Sequence, residues 1–441
     1  MIDNGHRHAM IFDAVSEDIP GPKWRKRWER SWPEYQKWMA SQRDYNAPPR
    51  AEYEAAMAKY MPEIQPLFRK LVNLAGNGSD AACFLSGWCP PQYLAGCSVA
   101  AMSDKTGTKL VRNYDLSPDL NEGLLLRTAM TGMPVMGMVE FLWGLSDGIN
   151  GAGLAVAIAY GGRPETARGF GITTILRYVL ETCETVGDAL QVLIRVPSHM
   201  AYNVTLADRH GTSASVELQA SGGLRQVWPA VSTNHQSVGN RPANAALSQT
   251  YERREHLQKL VAGNIPASRL SDAFIELPLF QNNFCANFGT LFTAEYDPRN
   301  RSLALRWRSQ TWKHTLAHFS EGTRHVVLGE AELTSSTIDP TLSFYEIMGH
   351  HLKSWLAHAE RRNLDCWIEQ SKAGSVDWAA FGEICSHRRA HHSFGMRQGT
   401  AGKNRQSIGS ITSRTLSFDS HLPHEGLSCA NITARLDGTK D

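Results

Sequence analysis

An excess of one charge sign, a long apolar run, a zinc-type cysteine spacing and an internal repeat are all missing from this 441-residue chain. With a net charge of +2 and 20% charged residues, nothing calls for nucleic acid or a strongly acidic partner. The longest apolar run, GLAVAIAY, falls far short of the roughly 20 residues that a membrane helix requires, so no membrane association is expected. The opening MIDNGHRHAMIFDAVSEDIP has acidic residues where a secretory signal needs an apolar stretch, and a reduced, cytoplasmic home is the expectation. Eight cysteines (83, 89, 97, 183, 285, 366, 385 and 429) are scattered without a C-x-x-C pair, which argues against a zinc site or a disulfide lattice.

What is present is the 42% hydrophobic content of a globular chain, long enough for one large domain with extensions or for two or three ordinary domains. Residues 22–75 read as helices, with Trp24, Trp28, Tyr35, Trp38 and Met39 recurring at helical spacing as a packing face. The stretch Gly76 to Gly87 breaks that pattern. From Cys97 the texture turns to strands. CSVAAM and KLVRNYDL flank SDKTG as a hairpin, and GLAVAIAY is a buried strand. A helix carrying Ile172, Ile175, Leu176, Val179 and Leu180 on one face follows, with a second from Val186. Further hairpins turn at Asp208–Gly211 and Asp297–Asn300. Helices set among antiparallel hairpins predict an α+β layered sandwich rather than a doubly wound parallel sheet. After about residue 325 the pattern decays. A helix is expected in SFYEIMGHHLKSWLAHAERR, and the polar, Gly/Ser-rich remainder reads as disordered.

Several motif matches fail on their context. GLSDG (Gly144–Gly148) has the G-x-S-x-G form of a nucleophile elbow, but that elbow needs a helix straight after Ser146, and a glycine-broken turn and a strand follow instead. GTAGKN has Arg397 and Asn404 where a P-loop needs glycine and Ser or Thr. Cys385, His387, His391 and His392 have metal-ligand chemistry in a basic, unpatterned setting that favours a solvated run.

The constellation that remains starts at Cys97, directly after Gly96 at the head of a strand. RNYD (Arg112–Asp115) ends the second strand of the same hairpin, which folds it back beside the sulfur. A cation there lowers a thiol pKa and a carboxylate orients a protonated amine, the two needs of an activated thiol. Strict strand alternation puts Arg112 and Asp115 on opposite faces, so both reach one site only through a bulge or the strand's end near Tyr114.

GCS, VRNYD, DGINGAGLAVAIAYGG, MAYNVTLADRHGTSASVEL and STNH, in that order, resemble the acyl-coenzyme A:6-aminopenicillanic acid acyltransferase family and, more distantly, the choloylglycine hydrolases. Both are N-terminal-nucleophile (Ntn) hydrolases, and the resemblance spans roughly residues 60–325. It implies a four-layer αββα sandwich and a chain that cuts its own Gly96–Cys97 bond. It implies that Cys97 becomes nucleophile and new N-terminus, its α-amine (reference pKa about 7.7–8.0) acting as general base. Asp115 would hold that amine, Arg112 would sit near the thiol, and the Asn234 amide would donate to the oxyanion. His235 is a lesser candidate base. Tyr160 stands where the choloylglycine hydrolases carry an asparagine, which leaves the second oxyanion donor open between Tyr160 and a backbone N–H.

The organisation this implies is a helical pro-segment (1–96) that stays on as a non-covalent subunit, a catalytic core (97–325) and a C-terminal extension (326–441). The expected activity is acyl transfer or hydrolysis on a small N-acyl amide or acyl thioester. No cofactor is expected, and acyl-coenzyme A is a candidate co-substrate. A serine hydrolase using Ser146 and an unprocessed, non-catalytic homologue remain the alternatives.

Overall fold

The computed structural model describes residues 8–42, 45–93, 96–220, 222–239, 245–263, 265–284 and 288–329. The chain divides into two units, Met1–Ala40 with Asp44–Ser354, and Ser41–Arg43 with Trp355–Asp441. All the architecture below belongs to the first. The sequence expectations for the extension beyond residue 329, including Cys385 and the three histidines near it, lie outside the described residues.

The chain opens with strand β1 (His8–Ser16) and four helices, α1 (Pro22–Ser41), α2 (Arg50–Tyr60), α3 (Gln65–Leu74) and α4 (Ser79–Ser86). A hairpin follows, β2 (Gly96–Asp104) with β3 (Gly107–Leu116), then β4 (Leu124–Thr128), β5 (Val135–Glu140), β6 (Gly144–Asn150) and β7 (Leu154–Tyr160). Helices α5 (Ile172–Thr182) and α6 (Val186–Arg195) lead to β8 (Tyr202–Asp208), β9 (Ser213–Leu218), β10 (Leu224–Val227) and β11 (Val231–Ser232). After α7 (Ala245–Ser248), α8 (Thr250–Ala262) and α9 (Leu270–Phe274) come β12 (Asn282–Asn283), β13 (Phe288–Asp297), β14 (Ser302–Arg306), β15 (Thr311–Thr315) and β16 (Gly322–Leu328).

These strands form two sheets. A nine-stranded sheet has the order β10-β9-β8-β7-β6-β5-β4-β1-β16, and a seven-stranded one β11-β2-β3-β13-β14-β15 with β12 beside β13. Alternation along the strands sorts the apolar side chains into three cores. On one face of the large sheet, residues such as Val156 and Val204 meet Trp24, Leu71, Leu85 and Ile175 of the helices. Between the sheets lie Phe12, Val99, Tyr114, Ile149, Ala157 and Phe292. On the far face of the small sheet, Ala100 and Val111 meet Leu257, Leu270 and Phe274 of α8 and α9. The layers therefore run α, β, β, α, and the fold is α+β as expected.

Three expectations need correction. The segment 1–96 is not wholly helical: β1 lies inside the large sheet, parallel to β4 and antiparallel to β16. Its alternating Met10, Phe12 and Ala14 put an apolar edge into the inter-sheet core, an alternation that the apolar but exposed Ile11 between them obscures in the sequence. The sheet thus extends to both sides of the 97–325 core, since β16 ends only at Leu328. The break from Gly76 to Gly87 contains a whole helix, because Gly78 and the left-handed Gly87 are its caps rather than interruptions. The tryptophan face behaves as expected: Trp24, Trp28 and Trp38 are buried, and Trp28 stacks on Trp32 at 4.5 Å. No helix among the described residues is long and apolar enough to cross a membrane.

Candidate active site

Register decides what meets at the head of β2. In the β2–β3 hairpin Gly96 lies opposite Asp115, Cys97 opposite Tyr114 and Val99 opposite Arg112. Directly opposed residues share a face. Cys97, Arg112 and Tyr114 therefore look between the sheets, while Asp115 looks toward α8 and α9.

The Arg112 guanidinium is fully buried and fixed from the large sheet. Its Nη1 donates to the Asp147 carboxylate at 2.8 Å and the Ser146 hydroxyl at 3.0 Å, and its Nε donates to the Ile158 carbonyl at 3.0 Å. The remaining Nη2 donates to Cys97 Sγ at 3.2 Å. The guanidinium also stands over the Tyr114 ring, 4.3 Å from its centroid. A charge this deep requires such partners, because an unpaired buried ion costs several kcal/mol. Tyr114 in turn donates its hydroxyl to the half-buried Glu140 carboxyl. Burial first, then the neighbouring Glu122, pushes Glu140 up to about 7 against the opposing effects of Tyr114 and Arg112.

Around the backbone of Cys97 a second cluster forms. The Cys97 N–H donates to Asn234 Oδ1 at 3.0 Å, and Asn234 Nδ2 faces the Tyr160 carbonyl at 3.5 Å. Arg253 of α8, buried, donates to the Cys97 carbonyl at 2.7 Å, the Ser98 hydroxyl at 2.8 Å and Asn234 Oδ1 at 2.8 Å. It also pairs with Asp115 at 3.5 Å, whose other oxygen accepts from Thr290 at 2.7 Å. Sequence reasoning missed Arg253, since TYERREHLQKL reads as a solvent-facing helix. Only the docking of α8 on β2 buries it.

The opposite-face difficulty is real and is not removed by a bulge in β3. The register shift lies in the partner strand β13, between Thr290 and Phe292. Asp115 accordingly reaches the Cys97 backbone through Arg253, while Asn234, not Asp115, takes the N–H. Gly96 has no room for a side chain: a Cβ there would stand 2.8 Å from Phe288 Cζ and 3.0 Å from Asp115 Cβ.

Burial raises the Cys97 thiol to about 11, with Arg112 and Arg253 opposing and Asp115 adding to the rise. At neutral pH the sulfur is therefore a thiol. His235 does not serve it. Its Nδ1 sits 2.9 Å from the Thr250 hydroxyl and its Nε2 3.2 Å from Arg254, its ring lies against Tyr251, and burial with both arginines lowers it to about 4. Tyr160 ends β7 and turns its carbonyl, not its hydroxyl, toward Asn234. Ser146 lies inside β6 with β7 next in the chain, so the nucleophile-elbow alternative fails on geometry. Among the described residues no group of three or more His, Cys, Asp or Glu side chains could hold a metal ion. A cavity of about 560 Å³ lined by Glu63, Leu67, Lys70, Thr131 and Glu181 shares none of these site residues.

The model of the acyl-coenzyme A:6-aminopenicillanic acid acyl-transferase family matches residues 102–312. The chain is similar to that family over this segment, just under half of its length. The matched segment contains Arg112, Asp115, Tyr160, Asn234 and Arg253, and it begins just after Cys97. No curated protein matches the chain. Solved structures that are similar include penicillin V acylase from Agrobacterium tumefaciens, 14% identical over 52% of this chain and 90% of that one, with a TM-score of 0.33. The Caenorhabditis elegans ortholog of N-acylethanolamine-hydrolyzing acid amidase is 14% identical over 52% of this chain and 99% of its own, with a TM-score of 0.35. A mutant conjugated bile acid hydrolase from Clostridium perfringens is 13% identical over 55% and 100%, with a TM-score of 0.30.

Proposed function

We propose that this chain is a cysteine Ntn acyltransferase or amidohydrolase that activates itself by cutting the Gly96–Cys97 bond. The observation that carries the reading is the double hold on one residue: Arg112 at 3.2 Å from the Cys97 sulfur and Asn234 at 3.0 Å from its nitrogen. In the cut, the sulfur attacks the Gly96 carbonyl carbon, its proton passes to the Cys97 nitrogen, and the C–N bond breaks to leave a thioester. Water then cleaves the thioester, releasing the Gly96 carboxylate and returning the Cys97 thiol beside the amine freed when the C–N bond broke. That amine, with a reference pKa of about 7.7–8.0, takes the thiol proton for catalysis.

The thiolate attacks an amide or thioester carbonyl. The Asn234 amide is suited to two tasks: its Oδ1 holds the new amine, and its Nδ2, which faces the Tyr160 carbonyl at 3.5 Å, turns to the oxyanion. One such donor contributes about 2.7–4 kcal/mol. The leaving amine takes the proton back, and water or an amine removes the acyl group from sulfur. The substrate class is a small N-acyl amide, with acyl-coenzyme A as an alternative donor.

The N-terminal chain stays attached after the cut. β1 hydrogen-bonds to β4 on one side and β16 on the other, so its departure would open the sheet and expose Phe12. Intact-mass analysis and a denaturing gel of fresh protein test the proposal. Two chains of about 10 and 38 kDa are expected, co-eluting without denaturant, and Cys97→Ala should leave one chain of 48.9 kDa. Active protein consisting of a single unbroken chain would sink it.

A further inference from the structure

Resting on that catalytic reading, we propose that Arg163 binds a carboxylate on the amine half of the substrate, so that the preferred class is an N-acyl amino acid. Arg163 lies three residues past Tyr160, on the loop leaving β7. Two contacts place that loop beside the reactive residue. Asn234, which holds the Cys97 nitrogen, faces the Tyr160 carbonyl, and Gln92, in the segment leading to the scissile bond, donates to the Pro164 carbonyl at 2.8 Å. A chain of neutral amides makes the third tie: Arg163 Nη1 donates to Gln219 Oε1 at 3.0 Å, and Gln219 Nε2 donates to Gln236 Oε1 at 3.2 Å, two residues beyond Asn234.

The guanidinium is equipped for an anion and is under-used. Of its five N–H groups, the described residues engage one in a hydrogen bond, and that acceptor is uncharged. Its one ion pair, with Glu165, is long at 3.7 Å, and Glu165 is 65% exposed, a weak and screened competitor. The side chain itself is 30% exposed, so a solute can reach it. Gly239 backs it, where a Cβ would stand 3.2 Å from the guanidinium carbon. The N–H groups left over can make the two-point contact that a carboxylate takes.

Direction follows from the proton. The leaving amine must collect its proton from the Cys97 nitrogen, so it departs on the Asn234 side. Arg163 is tied to that side through Gln236, whereas Arg112 flanks the sulfur from between the sheets. The phosphate of an acyl-coenzyme A donor offers the same anionic chemistry and is the competing source.

The test uses fully processed enzyme and matched pairs, N-octanoylglycine with N-octanoylglycinamide and octanoyl-coenzyme A with S-octanoylpantetheine. Arg163→Gln should lower the kcat/KM preference for glycine over glycinamide conjugates by about tenfold or more, chiefly through KM, with Arg163→Lys recovering part of it. A ratio unmoved by the substitution overturns the proposal, as does a loss confined to the coenzyme A pair, which would assign the residue to phosphate. If wild-type enzyme, fully cut, releases octanoate from none of the four, the catalytic reading falls and this one with it.

Discussion

A single methyl group placed at Gly96 tests the geometry of the site most directly. In Gly96→Ala the new Cβ would meet Phe288 Cζ at 2.8 Å, Asp115 Cβ at 3.0 Å and the Asp115 carbonyl oxygen at 3.0 Å. The first contact is closer than real Cβ atoms come, and two of the three neighbours belong to a strand paired on both sides. The Phe288 ring tip can turn aside, but relief at Asp115 requires β2 and β3 to part by a few tenths of an ångström. Overpacking of this kind costs about 1–3 kcal/mol. The movement also shifts the Cys97 nitrogen relative to Asn234 Oδ1 and the sulfur relative to Arg112, and because a misplacement of about 1 Å lowers a rate on the order of 10²-fold, this smaller one should slow scission by a fraction of that. The assay is a denaturing-gel time course of the 48.9 kDa chain after synthesis, with urea unfolding of the purified protein beside it. Slowed scission together with the stability loss is the expected result. Wild-type scission kinetics in a variant of unchanged stability would refute the steric reasoning and the role given to the register.

Further outcomes follow from the same contacts. Arg112→Met should destabilise the protein by about 3–5 kcal/mol by stranding Asp147, and adding Asp147→Leu should restore most of that stability but not scission, as denaturant titration and gels will show. Asn234→Ala should slow acyl transfer on the order of 10²–10³-fold in a kcat measurement, with the fold intact by circular dichroism. Glu140 is raised by burial from 4.5 to about 7, so its neutral form stabilises the fold at low pH and that contribution is lost as pH rises through this window. Unfolding free energies of wild type and Glu140→Gln should therefore diverge between pH 4.5 and 7, the wild type losing ground, and parallel curves would contradict the assignment.

Hairpins, buried strands and the tryptophan helix were legible because their signals are local: a period of 2 or 3.6 and glycine-bearing turns. The same locality made Cys97, Arg112 and Asp115 readable as one group, since a hairpin folds a short distance back on itself. β1 was not legible, because its partners are distant in sequence and its hydrophobic alternation is short. Arg253 was hidden for a related reason. Its burial depends on a helix docking more than a hundred residues downstream of the strand it serves, and a polar helix carries no mark of which face will be covered.

The order of residues alone determined that a glycine precedes the cysteine, that an arginine and an aspartate fall on opposite faces of the returning strand, and that the segment matches an acyl-transferase family. Packing decided the rest. It set which carboxylate holds Arg112, placed Asn234 on the Cys97 nitrogen, brought Arg253 between the two faces and kept the sulfur protonated by burying it. Local pattern follows from bonded geometry, whereas partner choice and pKa follow from the surroundings that distant segments supply.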